Sequence, residues 1–140
     1  MPYRFFDHTG DIGVDLWAAA PAGLFVAAAG ALSETLTNPG GIERRARVTA
    51  ALGAPDLDLL LADWVGELVY RFDAFGWLTS DADVRVARRG DRWVIDASLD
   101  GETRDPERHP LKVLVKAVTY HELRVEQTAD GWRARLVLDI

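Results

Sequence analysis

The apolar series Leu57, Leu60, Leu61, Trp64, Val65, Leu68, Val69 and Phe72 constrains this chain more than any other stretch. Its spacing of three and four residues puts all eight on one face of a helix. Asp56, Asp58, Asp63 and Glu67 fall off that face. Pro55-Asp56 opens the helix and Phe75-Gly76-Trp77 closes it. A helix with one apolar face must be laid against something, and its flanks supply a sheet. Before it, Ile42 to Leu52 reads as a strand, with Ile42, Ala46, Val48 and Ala50 on one parity and Arg45, Arg47 and Thr49 on the other. After it, Asp83 to Arg88 and Trp93 to Leu99 read as a hairpin joined by Arg89-Gly90-Asp91-Arg92. Residues 42–99 are thus expected to form a strand-helix-strand-strand module.

The remaining chain spells the same module in two pieces. Tyr3 to Phe6 is a short strand, and Ile12 to Trp17 a second one with Ile12, Val14 and Leu16 facing one side and Asp15 and Trp17 the other. Pro21 suits a first helical turn. Leu24, Phe25, Ala28, Ala31, Leu32, Thr35 and Leu36 then recur at helical spacing, until Asn38-Pro39-Gly40-Gly41 stops them. Glu122 to Gln127 and Trp132 to Asp139 are the last two strands, with Asp130-Gly131 in their connection. The expected fold is α+β: a single domain of 140 residues with helices packed on mainly antiparallel sheets, one module inserted into another. That order brings the first and last strands into one sheet.

Two connecting stretches are read from local cues. Asp100-Gly101-Glu102 reads as a turn, and Asp105 to Pro110 as a polar loop. Leu111 to Val118 carries two periods: Leu111, Leu114, Val115 and Val118 fit a helix, while Leu111, Val113, Val115 and Ala117 fit a strand. A short helix is the preferred reading, because Pro110 can start one. It would place Lys112 and Lys116 at i and i+4 on one face. These are the only lysines among 16 basic residues, and a lysine amid arginines offers a compact, flexible charge.

Composition removes several classes of function. A net charge of −6 argues against holding nucleic acid unaided, since phosphate binding needs a basic surface. The absence of cysteine excludes disulfides, thiolate metal sites and cysteine nucleophiles. Met1-Pro2-Tyr3-Arg4 has no apolar signal-peptide core, and the alanine-rich stretch from Ala18 to Leu36 is too interrupted to span a bilayer. A cytoplasmic protein without membrane contact is the expectation.

Asp7-His8-Thr9-Gly10-Asp11-Ile12-Gly13-Val14-Asp15 packs three acids, one histidine and two glycines into nine residues. Acids so close repel one another and resist burial without a partner. At the other end, the apolar run Leu136-Val137-Leu138 stops at Asp139-Ile140, which presents a side-chain carboxylate and an α-carboxylate together. With the first and last strands adjacent, Asp11, Asp139 and Ile140 would meet. Such an all-oxygen donor set suits Ca²⁺ or Mg²⁺. The bland alternative is a solvated acidic turn.

Three segments in order carry a family resemblance: His8-Thr9-Gly10-Asp11-Ile12-Gly13, Val115-Lys116-Ala117-Val118-Thr119-Tyr120-His121, and the terminal Asp139-Ile140. Together they resemble the archease family over essentially the whole chain. Gly10 departs from the alanine common in the family. The resemblance implies two strand-helix-strand-strand modules, one inserted in the other, in agreement with the repeat. It implies a protein that is not an enzyme but assists a GTP-dependent RNA ligase. That ligase joins a 3′-phosphate or 2′,3′-cyclic phosphate end to a 5′-hydroxyl in tRNA splicing and RNA repair. The accessory protein promotes guanylylation of the ligase histidine and multiple turnover, and it meets RNA only through the ligase. The resemblance also implies a divalent-metal site at Asp11, Asp139 and Ile140, the last through its carboxylate or carbonyl.

Other residues are placed around that expectation. His8 is a candidate to orient a site carboxylate, or simply a hydrogen-bonded turn histidine. Lys116 is a candidate contact to nucleotide or to a partner carboxylate, or a solvated lysine. His121 reads as structural. The alternative function is a small-molecule-binding or metal-dependent hydrolytic module of the same fold type, with the acids holding a metal-activated water. An apolar pocket with convergent polar groups would favour that alternative, and a convex acidic tip would favour the accessory role.

Overall fold

The computed structural model describes residues 2–140. Its elements are β1 (Tyr3–His8), β2 (Asp11–Ala18), α1 (Pro21–Leu36), β3 (Ala46–Ala54), α2 (Leu57–Phe75), β4 (Trp77–Arg89), β5 (Arg92–Thr103), β6 (Ala117–Thr128) and β7 (Gly131–Asp139), with a single 3-10 turn at Pro39–Gly41. The helix expected from the apolar stripe is the longest in the chain. The Asp56 carboxylate caps it by accepting from the Leu59 amide at 2.8 Å, which satisfies one of the open amides of the first turn. Gly76 ends it in the left-handed region, at φ 70°.

The strands form two antiparallel sheets, ordered β1-β2-β7-β6 and β3-β5-β4. The inserted module runs strand, helix, strand, strand as β3, α2, β4, β5, and the split one as β2, α1, β6, β7. In both sheets the module's last strand lies between its other two. The repeat read from the sequence is therefore a repeat of topology. The α+β class, the two modules and the insertion all stand as expected.

One face of the four-stranded sheet is apolar and buried through Val14, Leu16, Leu136 and Leu138. Helix α1 packs on β2 and β4, and α2 on β6 and β3, so each helix reaches both sheets and a single core forms. Leu60, Leu61 and Trp64 from the α2 stripe are fully buried in it. Burying each such side chain stabilises the fold by about 2 kcal/mol. The indole N–H of Trp64 donates to the Phe25 carbonyl of α1 at 2.9 Å, which satisfies its one polar atom.

Four local expectations need correction. The helix expected over 111–118 does not form: the chain from 104 to 116 has no regular structure, and β6 begins at Ala117. Its polar groups are spent on the C-terminal end of α1. The Lys112 amide donates to the Leu36 carbonyl at 2.8 Å, and Thr37 Oγ1 donates to the Pro110 carbonyl at 2.8 Å. Lys112 and Lys116 therefore share no helical face. Asp100-Gly101-Glu102 is not a turn but part of β5. Gly101 is needed there because a Cβ would stand 1.9 Å from the Leu78 carbonyl oxygen. The strand expected from Ile42 starts later, at Ala46, because the Ile42 amide closes the 3-10 turn onto Pro39. The strand expected from Asp83 starts earlier, at Trp77.

Glu102 anchors the link between the modules. It is buried, accepts from Arg108 Nη1 and Nη2 and from the Glu43 amide, and lies 3.1 Å from Nε2 of the fully buried His109. Nδ1 of His109 accepts from the Asp105 amide at 2.8 Å, which leaves the ring proton on Nε2 for Glu102 and the Gly41 carbonyl. The Arg108 guanidinium holds the Glu102 carboxyl down at a pKa of about 2.

Candidate metal centre

The β1–β2 hairpin turns through Thr9-Gly10, with Gly10 left-handed at φ 75°. That tight turn pairs His8 with Asp11. Asp11 is in turn the cross-strand partner of Asp139 on β7, and Asp139 that of Ala117 on β6. One row thus crosses the sheet: His8, Asp11, Asp139, Ala117. Directly opposite residues share a face and hold their Cβ atoms about 5 Å apart. The sheet therefore brings Asp11 and Asp139 together, as the sequence required, with Ile140 next along the chain. The Lys116 amide donates to the Asp139 carbonyl at 2.8 Å, so Lys116 stands beside the same point. Its side chain makes no ion pair among the described residues.

This face is opposite the core. Strand alternation puts Arg4, Phe6 and His8 of β1, Asp11, Gly13 and Asp15 of β2, and Arg135, Val137 and Asp139 of β7 on it. Gly13 in the first motif has a packing reason: a Cβ there would come within 2.2 Å of the Phe6 ring. The Arg135 guanidinium lies over that ring, 4.3 Å from its centroid. Arg135 also grips Asp15 in a two-pronged contact of 2.7 and 3.0 Å, and Arg4 adds a third at 3.4 Å. These cations hold the Asp15 carboxyl below its ordinary pKa, the Arg135 hydrogen bond most of all. Asp15 is thereby neutralised and buried, and it is not a free donor for a metal.

The other acids have different fates. Asp7 points away from the row, as its parity with Phe5 requires. Asp11 has His8 Nδ1 3.8 Å from its Oδ2, Asp139 makes no side-chain ion pair among the described residues, and both remain partly exposed. Two carboxylates facing one another at the ends of the two central strands, beside a third oxygen source at Ile140, make a hard-oxygen donor set that fits Ca²⁺ or Mg²⁺.

The sequence reading missed a neighbouring group. Thr119 pairs with Val137 but Arg124 with Arg135, so residues 120–123 of β6 are a bulge. Glu122 within it has φ 56°, the only positive φ of a non-glycine among the described residues. Such a conformation costs about 1–3 kcal/mol and gathers at functional sites. The bulge carries His121 and Glu122 to His8. Nε2 of His8 is 3.2 Å from Glu122 Oε2, and the two imidazole centroids are 4.7 Å apart. His121, expected to be structural, thus faces a titratable cluster. Nothing in the periodicity of β6 signals the bulge; the clue is only that His121-Glu122 interrupts the alternation of Thr119 and Val125.

One cleft adjoins the row: Lys116 and Ala117 line it together with Asp63, Glu67 and Tyr70 of α2. Another, between β1 and the end of α1, is lined by Phe5, Ile12, Glu34 and Lys112, and the Lys112 ammonium there is bound to the Glu34 carbonyl at 2.7 Å. Neither Asp11 nor Asp139 lines it. No helix is long and apolar enough to cross a membrane.

Comparison with known proteins agrees with the motifs. The model of the Archease protein family matches residues 3–140. The chain is 36% identical over 140 residues to the protein archease of Methanopyrus kandleri, covering all of both chains. It is 33% identical over 139 residues to that of Pyrococcus furiosus, covering 99% of this chain and 98% of the other. In structure it is similar to protein 1598 of Methanobacterium thermoautotrophicum, with a TM-score of 0.88, 28% identity and 99% of both chains covered. A Thermotoga maritima archease, described as a possible chaperone, shares the fold at a TM-score of 0.64 and 20% identity, over 96% of this chain and 94% of the other. The chain belongs to the archease family.

Proposed function

We propose that this protein is an accessory factor for a GTP-dependent RNA ligase of tRNA splicing and RNA repair, acting through the end of the sheet that carries Asp11, Asp139 and Ile140. The observation that carries this reading is the cross-strand pairing of Asp11 with Asp139 on an open face, in a chain of this family. A Ca²⁺ or Mg²⁺ ion held there would be presented at the end of the four-stranded sheet, on its face away from the core. When bound, it would supply positive charge next to a nucleotidyl-transfer centre, where charge develops on phosphate oxygens.

The chain's own residues do the rest. Asp11 and Asp139 hold the cation from facing strands. His8 lies 3.8 Å from Asp11 Oδ2 and limits how that carboxylate turns. Lys116, fixed by its backbone to Asp139 and lining the cleft against α2, would offer its ammonium to a partner carboxylate or a nucleotide phosphate. The net charge of −6 favours docking on a basic, RNA-binding partner and disfavours direct hold on RNA. A role as assistant agrees with the description of the Thermotoga maritima relative as a possible chaperone.

The test is multiple-turnover ligation of a 2′,3′-cyclic-phosphate RNA by the partner ligase with GTP, with and without this protein. Stimulation that is lost in Asp11→Asn and Asp139→Asn supports the reading. Absence of stimulation by the parent protein, or undiminished stimulation by both variants, overturns it.

A further inference from the structure

We propose that His8, His121 and Glu122 form a second cation site, one for a zinc-class divalent ion, beside the carboxylate pair and with its own three donors. One ligand atom from each of the three lies within 4.8 Å of the others. The chemistry differs from that of Asp11 and Asp139. Two imidazole nitrogens and one carboxylate oxygen are the donors that select Zn²⁺ and its neighbours over Ca²⁺ or Mg²⁺. Zn–N and Zn–O bonds of about 2.0–2.1 Å in a tetrahedron set neighbouring donors about 3.3 Å apart. His8 Nε2 and Glu122 Oε2 already stand 3.2 Å apart.

Three further observations point the same way. Arg135 Nη1 lies 3.5 Å from Glu122 Oε1, which turns the other carboxylate oxygen toward His8. Nδ1 of His8 is buried with no hydrogen-bond partner among the described residues, and it faces Asp11 Oδ2 at 3.8 Å. With a metal on Nε2 the proton would sit on Nδ1, and Asp11, 3.8 Å away, is the nearest carboxylate to take it once the two close, as in the arrangement that ordinarily orients a metal-bound imidazole. Finally, the left-handed backbone at Glu122 lies within the bulge that carries His121 and Glu122 to His8. His121 is exposed, so its ring can rotate to close the triad and the fourth position stays open to water or an oxygen ligand.

The test is a calorimetric titration of the full chain with Zn²⁺ alone, in the presence of excess Mg²⁺ to occupy hard-oxygen sites. One Zn²⁺ per chain is expected. His121→Gln and Glu122→Gln should each weaken it by at least about tenfold, and Asp139→Asn should leave it unchanged. Glu122→Gly keeps the positive φ without strain, so it should lose the zinc yet unfold no earlier than the parent in the metal-free state. A hydrogen-bonding role alone would instead lower that unfolding temperature and spare no zinc binding to lose. Zinc affinity equal to the parent's in both His121→Gln and Glu122→Gln overturns the site, as does a loss confined to Asp139→Asn. Neither result bears on ligase stimulation, so this site and the proposed function fail independently.

Discussion

Asp11 and Asp139 sit directly opposite each other on adjacent antiparallel strands, two like charges in the position where a sheet normally places complementary ones. Without a cation the pair is a liability of about 0.5 kcal/mol. Asp139→Asn should therefore raise the melting temperature of the metal-free protein slightly while abolishing its response to Ca²⁺ or Mg²⁺. Thermal unfolding with and without divalent ion checks both halves. A variant that melts lower and still responds would remove Asp139 from the site.

Ile140 gives a second check. It enters the proposed centre through a carboxylate or carbonyl oxygen, and metal sites tolerate ligand displacements of only about 0.2 Å. A tag appended after Ile140 should abolish ligase stimulation, and the same tag before Met1 should not. The metal-free melting temperature should be nearly the same for both, because β7 ends at Asp139. Equal stimulation would mean that the residue contributes nothing.

Gly13 is held to its identity by the Phe6 ring. Gly13→Ala puts a methyl where the ring lies and forces Phe6 off its contact with Arg135. The cost should be about 1–3 kcal/mol, as for other overpacked sites. In a Phe6→Ala background the same change should cost almost nothing. Urea midpoints of the four proteins form the cycle that decides it.

Glu102 predicts an acid limb. Its folded pKa of about 2 lies below the ordinary 4.5, so the stability it contributes is complete above pH 4.5 and is lost as pH falls toward 2. Asp15 adds to this in the same direction. Glu102→Gln should destabilise the protein by about 2 kcal/mol at neutral pH, because Arg108 and His109 lose their acceptor. The gap between parent and variant should then narrow on acidification, measured as urea midpoints at about pH 6 and about pH 3. A constant gap would show that Glu102 is not paired in the folded state.

The parts of the fold legible in the sequence are those where one signal acts alone. Leu57 to Phe72 repeats at helical spacing for more than four turns, and nothing competes with it. The pairing of Asp11 with Asp139 was legible too, because module order forces the first and last strands together. Leu111 to Val118 was not. Both periods fit, and the outcome turned on the distant carbonyls of Leu36 and Pro110, which no local window contains. Asp100-Gly101-Glu102 misled for a related reason: Gly101 serves a close backbone approach to Leu78, not a turn. Glu122 was hidden because a bulge changes register without changing composition.

The adjacency of β2 and β7 also sets a schedule for synthesis. The inserted module makes its strand pairings within residues 46–103, but α2 finds its packing on β6 only after that strand has been made. Pairing β2 with β7 closes a loop of almost the whole chain, the slowest kind of contact to form. The row from His8 to Ala117 cannot exist until the last strand has been released and docked. A chain without β7 therefore keeps the pairing of His8 with Asp11 but has no Asp139 opposite it, so the two carboxylates meet only once β7 has docked.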